Sequence, residues 1–317
     1  MGKKVQRINK YLVISCVVLI VQSCTNEVYV NDWEKDKIHG EVKSYSEFTF
    51  KAEDRFGKVE KGKRESKHNG EFHKQYKYDK TGNKIEENYY TLNGKLKSKI
   101  TFKYNKKGSI SESKSYSSDG SIESKEDYKY DENANKIETL YSKPGVGIIS
   151  KLLYFYDDDG NVIKRSYYRL GSLESKTTYI YSNIGYSSYL LKYNTEGKII
   201  ERYDVVYDKD GKIIEVNSST TDWGGSYKNI FSYNEIGNLT LEVVNYYSDG
   251  QPNYAFSYKY DDKNNVVKKI TKNTNTNKGF IETYSYKYDK QGNWIERIEF
   301  EGDIPKFILE REFNYYE

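Results

Sequence analysis

Tyr76-Lys77-Tyr78-Asp79-Lys80-Thr81-Gly82-Asn83-Lys84-Ile85 is the stretch from which the chain is built. It returns as Tyr154-Phe155-Tyr156-Asp157-Asp158-Asp159-Gly160-Asn161 and as Tyr286-Lys287-Tyr288-Asp289-Lys290-Gln291-Gly292-Asn293, with eroded copies between. The second aromatic of each copy falls at 78, 104, 130, 156, 181, 207, 233, 260, 288 and 315, a step of 25 to 28 residues. A fixed step of that size marks a repeat architecture, whose units stack on their neighbours and do not close separate cores.

Each unit reads as two strands and two turns. Leu96, Ser98, Ile100, Phe102 and Tyr104 alternate with Lys95, Lys97, Lys99, Thr101 and Lys103, which is strict period two with an aromatic-aliphatic face and a cationic one. The closing strand, Phe307, Leu309, Arg311, Phe313, Tyr315, keeps the pattern except for its arginine. No segment shows a helical period. In the first type of turn an aspartate opens the loop and a glycine three residues on closes it: Asp79 and Gly82, Asp157 and Gly160, Asp208 and Gly211, Asp289 and Gly292. The carboxylate can accept a backbone N–H two residues on, and the glycine allows the positive φ of a short hairpin. Ala134 and Asn264 replace that glycine in two copies, and the alanine is expected to alter its turn. A first, degenerate unit begins near Phe48, with Asp54-Arg55-Phe56-Gly57 standing where the Asp-type turn should be. The second turn type is looser, as in Asn93-Gly94 and Glu301-Gly302, and is enlarged at Thr221-Asp222-Trp223-Gly224-Gly225.

Ten or eleven such units give roughly twenty strands about 4.8 Å apart, about 100 Å of flat sheet, and open sheets rarely pass about ten strands without curling. The expected fold is therefore all-β, a long antiparallel sheet of tandem hairpins curved into an open spiral with its tyrosine face inward. A β-propeller of about five blades is the alternative. It would need an alternation between odd and even units, which the sequence does not show.

Composition fits a thin sheet. Aromatics make up 16% of the 317 residues, 35 of them tyrosine, while hydrophobic content is 36% and charged content 31%. That is too little apolar material for a thick core and too many aromatics for a disordered chain. The net charge is +4, and Lys3, Lys4, Arg7 and Lys10 supply four positive charges in an acid-free first 23 residues, so the remainder is near zero. A balanced surface gives no electrostatic case for nucleic acid. The same 23 residues read as a secretory signal, basic and then apolar from Tyr11 to Val21, too short to span a bilayer. Val21-Gln22-Ser23-Cys24 resembles a bacterial lipoprotein processing site, which implies cleavage before Cys24 and lipid attached to it. The chain thus divides into a signal over 1–23, a tether over 24–45 and a repeat body over 46–317. With Cys16 lost and Cys24 acylated, disulfides, thiolate catalysis and cysteine-based metal sites drop out.

The pattern Tyr-x-Tyr-Asp-x-x-Gly-Asn followed by an aliphatic residue resembles the RHS or YD-repeat family over roughly residues 48–317. The match is good at 76–85, 154–162, 207–213 and 286–295 and poor around Tyr181-Ser182-Asn183-Ile184-Gly185. The family commonly has arginine where this chain has Asn83, Asn161 and Asn293. The resemblance implies a spiralling antiparallel sheet, which in large members forms a hollow shell around a toxin. This chain is much shorter, has no Asp-Pro-x-Gly core motif, and runs in repeats to Tyr315, so the resemblance supports the fold and not toxin delivery.

Few residues suggest chemistry. Equivalent Asp turns lie two strands apart, about 9.6 Å, whereas calcium ligands sit about 2.3–2.6 Å from the metal, so successive aspartates cannot share an ion and read as turn formers. His68 and His73 flank Asn69-Gly70 without a third ligand, a weak case for zinc. No nucleophile and base are spaced as a catalytic set, and no cofactor is implied. What remains is the tyrosine face, since tyrosine gives large amphipathic contact area at low entropic cost, and Trp223 in its enlarged loop. The expected function is a non-catalytic binding module for glycan or protein, held to the cell envelope by lipid on Cys24, at the outer membrane or surface in preference to the inner membrane. A structural accessory of a secreted repeat-toxin system is the alternative.

Overall fold

The computed structural model describes residues 30–66, 73–182, 187–221, 225–247 and 253–317. Among the described residues one helical turn, α1 (Asp32–Lys35), precedes twenty-one strands. These are β1 (Val42–Arg55), β2 (Lys58–Arg64), β3 (His73–Tyr78), β4 (Lys84–Tyr90), β5 (Leu96–Tyr104), β6 (Ile110–Ser117) and β7 (Ile122–Tyr130). Then come β8 (Lys136–Lys143), β9 (Gly147–Tyr156), β10 (Val162–Arg169), β11 (Ser172–Tyr181), β12 (Ser187–Tyr193), β13 (Ile199–Tyr207) and β14 (Ile213–Thr220). The last are β15 (Ser226–Tyr233), β16 (Leu239–Tyr246), β17 (Tyr254–Tyr260), β18 (Val266–Asn273), β19 (Gly279–Tyr288), β20 (Trp294–Glu301) and β21 (Ile304–Tyr315).

From β3 to β21 every strand pairs antiparallel with the next. β1 joins the two ends: Ser44–Phe48 pair with β3, and Val42–Lys51 pair with Phe307–Tyr315 of β21. β2 pairs with the far half of β1 on the edge that β3 uses, so β2 and β3 share one line. The result is a closed antiparallel barrel of 20 strands. This corrects both expectations from the repeat, the open spiral and the propeller. The reason lies in the two terminal strands. At 14 and 12 residues they are the longest in the sheet, and left apart they would expose two long unpaired edges. Twenty strands about 4.8 Å apart, tilted by about 40°, make a ring about 40 Å across.

All Asp-type turns lie at one rim, because β1 and every strand following such a turn start there. The turn at Phe56-Gly57 lies at the opposite rim, which corrects its reading as the first Asp-type turn. Phe56 and Gly57 both have positive φ (55° and 79°), and Gly57 N donates to Asp54 Oδ1 at 2.8 Å.

Following the register around the ring sorts the strand residues into two faces. Tyr45, Tyr78, Tyr179, Leu190, Val205, Val216, Asn229, Glu242 and Leu309, all buried, share the tyrosine face, against Ala52, Asn88, Ser166 and Ile308 on the other. Side chains converge on the concave side of a closed sheet and splay on the convex side, so the tyrosine face is the inner one. Both faces carry charge. The outer carries Lys103, Glu112, Lys114, Lys125 and Lys129, the inner Glu47, Lys192, Arg297 and Arg311.

Each Asp-type turn is closed the same way. Asp79 Oδ1 accepts the backbone N–H of Thr81 at 2.9 Å and of Asn83 at 3.0 Å, while Asn83 Nδ2 donates to Asp79 Oδ2 at 3.2 Å. Asp131 with Asn135 and Asp157 with Asn161 repeat all of it. Asp208 and Asp289 receive the same two backbone bonds. Ala134 does not alter its turn: it takes φ 67° and keeps the bond from its N–H to Asp131 O, so the strain of a left-handed alanine is absorbed where it stands.

Past each turn the register slips by one residue. Tyr78 faces Lys84 but Lys77 faces Glu86, leaving Ile85 as a bulge; the same slip follows 104, 130, 156, 207, 233, 260 and 288. A bulge takes the carbonyl before it out of the ladder. The tyrosine of the next repeat supplies the missing donor: Tyr104 OH to Lys84 O (2.6 Å), Tyr130 to Ile110 O (2.8 Å) and Tyr156 to Lys136 O (2.7 Å). Tyr181, Tyr233, Tyr260 and Tyr286 do the same to Val162, Ile213, Leu239 and Val266. Replacing Tyr130 with Phe deletes one such bond and strands a carbonyl, so unfolding free energy should fall by about 1–3 kcal/mol, read as a lower urea midpoint.

Outside, ion pairs cross the strands. Glu112 lies 2.9, 3.1 and 3.2 Å from the ammonium groups of Lys103, Lys114 and Lys125. Burial raises its pKa, but the three lysines outweigh that and hold it down to about 2. With the folded value below the unfolded one, its contribution to stability is full above the ordinary glutamate range and is lost as pH falls toward 2. Comparing urea midpoints of the parent and Glu112→Gln should show the parent ahead at pH 7 and the gap closing by pH 2.

Candidate functional site

The seam where β21 meets β1 is held by residues that the alternation alone made exceptional. Arg311 Nε donates to Glu47 Oε2 at 2.9 Å across the seam, and its guanidinium lies 3.6 Å from the ring centre of Trp294 and 4.8 Å from that of Tyr45. The cation inside the apolar strand is thus paired and stacked. Tyr45 in turn stacks on Tyr76 and packs against Phe313, with centroids 4.7 and 5.1 Å apart.

Residues 30–41 lie over this seam at the Asp-turn rim. Residues 30–45 are the described part of the stretch assigned to a tether; those up to 41 pack against the ring and those from Val42 on are the start of β1. On one side of the seam, Asp32 N and Trp33 N donate to Gly82 O (3.0 and 3.2 Å), Lys84 N donates to Asp32 Oδ2 (2.8 Å) and Tyr78 OH donates to Asp36 Oδ2 (2.7 Å). The Lys84 ammonium pairs with Asp36 at 2.9 Å; burial lowers its pKa, but Asp36 and Glu87 outweigh this and raise it. On the other side, Lys37 Nζ donates to Asn264 O (3.2 Å), while His39 and Asn293 exchange two bonds of 2.8 and 2.7 Å. Tyr315 OH donates to Asp289 Oδ2, and burial followed by that carboxylate pushes its pKa up to about 12. Ile38, Val42, Tyr45 and Tyr78 form a buried cluster beneath, with Trp33 packed on it. The segment is a staple across the junction of first and last repeats.

Elsewhere on the inner wall three tyrosines donate to a carboxylate two residues before them on the same face, and two of these rings, Tyr89 and Tyr128, also carry a lysine, Lys74 and Lys136. Tyr89 OH donates to Glu87 (2.8 Å), Tyr203 OH to Glu201 (3.0 Å) and Tyr128 OH to Glu126. Lys136 Nζ sits 5.6 Å from the centre of Tyr128 and 5.4 Å from that of Tyr154, and burial pushes its pKa down despite Glu126. Burial likewise raises the phenols of Tyr76, Tyr128, Tyr154 and Tyr258. These groups offer flat apolar rings beside fixed acceptors and cations, a surface for polar, extended ligands.

The other residues singled out in the sequence fall as follows. Asp79, Gly82, Asp157, Gly160, Asp208, Gly211, Asp289 and Gly292 all sit in Asp-rim turns, spread around the ring and not gathered into a site. Trp223, Cys24 and His68 lie outside the described residues. His73 is sandwiched between Phe48 and Tyr90, centroids 4.4 and 4.5 Å away, and burial followed by Arg64 lowers its pKa. Among the described residues no three His, Cys, Asp or Glu side chains converge on a metal position. Sequence reading missed Asp32 and Asp36, which lack the repeat pattern. It also gave no role to Asn83, Asn135, Asn161 and Asn293, whose recurrence after the glycine position was the available signal.

No family model and no curated protein matches the chain. Among solved structures it is similar to a chain of the Photorhabdus luminescens Tc holotoxin pore, with 13% identity over 72% of this chain and 15% of that one, at a TM-score of 0.32. It is similar also to a chain of the TcdB2–TccC3–Cdc42 structure, with 12% identity over 76% of this chain and 15% of that one, at 0.32. A porin-like protein from Bacteroides uniformis aligns over 86% of this chain and 96% of its own, with 5% identity and a TM-score of 0.33. The chain spans about 15% of the length of the toxin chains it matches. At such scores these likenesses carry no argument about function, and the barrel rests on its own strand pairing.

Gly82 separates the staple's contribution from that of the turn. A Cβ there would meet Asn31 Nδ2 and Trp33 Cε3, each at 2.6 Å, besides requiring φ +85°, whereas at Gly211 (φ +76°) nothing lies within 4 Å. Gly211→Ala should cost only the left-handed strain, about 1–2 kcal/mol, and Gly82→Ala distinctly more. Thermal melting of the two variants side by side checks this.

Proposed function

We propose that the protein is a non-catalytic binding module of the bacterial cell envelope, anchored by lipid on Cys24, whose inner wall takes a glycan. The observation that carries the ligand class is the row of tyrosines held beside carboxylates on the inner wall, Glu87–Tyr89, Glu126–Tyr128 and Glu201–Tyr203. Sugar rings present C–H faces that pack on aromatic rings and hydroxyls that donate to carboxylates, and this wall offers both, at β4, β7 and β13. An extended peptide could use the same rings but would find fewer donors for its carbonyls, since these phenols already donate to the glutamates.

Calorimetry against soluble oligosaccharides from bacterial and host surfaces tests the reading. Binding by the chain from Thr25 onward, weakened at least tenfold by Glu126→Ala with the melting temperature little changed, supports it. Absence of binding across the panel refutes the ligand class. The anchor is tested separately: Cys24→Ala should release the protein from the membrane fraction, and a variant that still sediments with membranes would overturn lipid attachment.

A further inference from the structure

Charge is unevenly spread around the inner wall. The register places Lys136, Arg165, Arg169 and Lys192 on the inner face of β8 to β12. Among the described residues these five strands hold two acids. Glu138 is on the outer face, paired with Lys129 at 2.6 Å, and Glu174 lies in the β11 bulge, 3.9 Å from Arg169. Asp157, Asp158 and Asp159 stand beyond the wall, in the rim turn. Lys192 is taken by Glu201 of β13 at 2.7 Å. That leaves Lys136 and Arg165, both half-buried, and among the described residues neither is paired with a carboxylate. By contrast Lys269, Arg297 and Arg311 of the same wall are matched by Glu282, Glu299 and Glu47.

The two cations meet at Tyr154 of β9. Lys136 Nζ lies 5.4 Å from its ring centre, and Arg165 faces it directly across the β9–β10 pair. Their strands are two apart, about 10 Å at the backbone, a gap that two long side chains span from either side of the ring. Burial raises the Tyr154 phenol, and Arg165 is near enough to oppose it. Burial also holds the Lys136 pKa down, so its charge is costly there until an anion joins it. Glu126 on neighbouring β7 does not serve as that anion in full, since it already accepts from Tyr128 OH.

We propose that the wall at β8 to β10 takes an acidic sugar, its carboxylate held between Lys136 and Arg165 beside Tyr154. This rests on the glycan reading above and narrows it to glycans that carry uronic acids. A guanidinium fork matches both oxygens of a carboxylate, and the lysine adds a point charge. The Glu126–Tyr128 pair, one strand on, is left for the hydroxyls of the adjoining sugar.

Calorimetry with the chain from Thr25 onward, which contains the whole ring and its staple, compares a linear tetramer of galacturonic acid with its fully methyl-esterified form. The ester keeps rings, hydroxyls and length and loses the charge. At least tenfold tighter binding of the acid, a margin that shrinks at high salt and is lost in Arg165→Gln and in Lys136→Gln, supports the proposal. Lys164→Gln is the control: it removes a charge one residue away, but this lysine lies over Phe155 on the outer face, so the margin should persist. Acid and ester bound alike overturn the proposal and leave the glycan reading standing. Binding of neither overturns it too, while the wider oligosaccharide panel still judges that reading. Folded variants that keep the parent's margin overturn it, as does a tetraglutamate bound as tightly as the uronate, since charge alone would then be read. Should either variant melt early, the ester and salt comparisons on the parent decide.

Discussion

The bond from a tyrosine hydroxyl to the carbonyl left over at the preceding repeat's bulge is the interaction on which the ring depends. Every Asp-type hairpin slips its register by one residue, which twists the sheet locally and frees a backbone acceptor on the inner side. Left alone, that acceptor would cost about as much as a hydrogen bond is worth at each unit with the slip; the described pairs after Tyr181 show none, and there Tyr207 meets the Ser188 hydroxyl instead. The phenol of the following unit reaches it across one hairpin, so the same residue that covers the wall also sets the spacing between units. This explains why the second aromatic keeps its place while its neighbours drift. Where the spacing stretches to 28 residues, between 260 and 288, the partner changes: Tyr286 takes the carbonyl and Tyr288 donates instead to Asp261.

Closure is a separate matter from repetition. Nothing inside a unit knows how many units there are. The ring shuts because β1 and β21 are long, carry Glu47 and Arg311 at facing positions, and are overlaid by a segment that grips hairpins on both sides of the junction. Two of these contacts, His39 with Asn293 and Glu47 with Arg311, join residues more than 250 positions apart.

The division between what could and could not be read from the chain follows from this. Strand alternation, the Asp–Gly hairpins and the tyrosine wall repeat, so each copy reinforced the others. The open spiral was the wrong extrapolation because closure is decided by the pairing of β1 with β21, which belongs to no repeat and leaves no mark in the period. Phe56-Gly57 was placed at the wrong rim because Asp54 mimics the recurring aspartate, although β1 runs in the sense opposite to the one assumed. Arg311 stood out in the sequence and acquired a reason only when Glu47 and Trp294 came alongside. The candidate wall was legible as a row of rings; strand alternation put Glu126 on the face of Tyr128, while Glu87 and Glu201 had no assigned face until the register was known.

Because the sheet has no free ends, its number of units is a fixed integer and not a variable length. An open solenoid can gain or lose one hairpin at the cost of a single interface, and lineages can drift in length. Here the removal of one hairpin would shorten the circumference by a tenth, change the tilt of every remaining strand, and bring β21 to β1 out of register with Glu47 and Arg311. Variation in such a chain should therefore fall on loops, which lengthen freely at Thr221–Gly225 and 273–279, and be suppressed in the count of repeats.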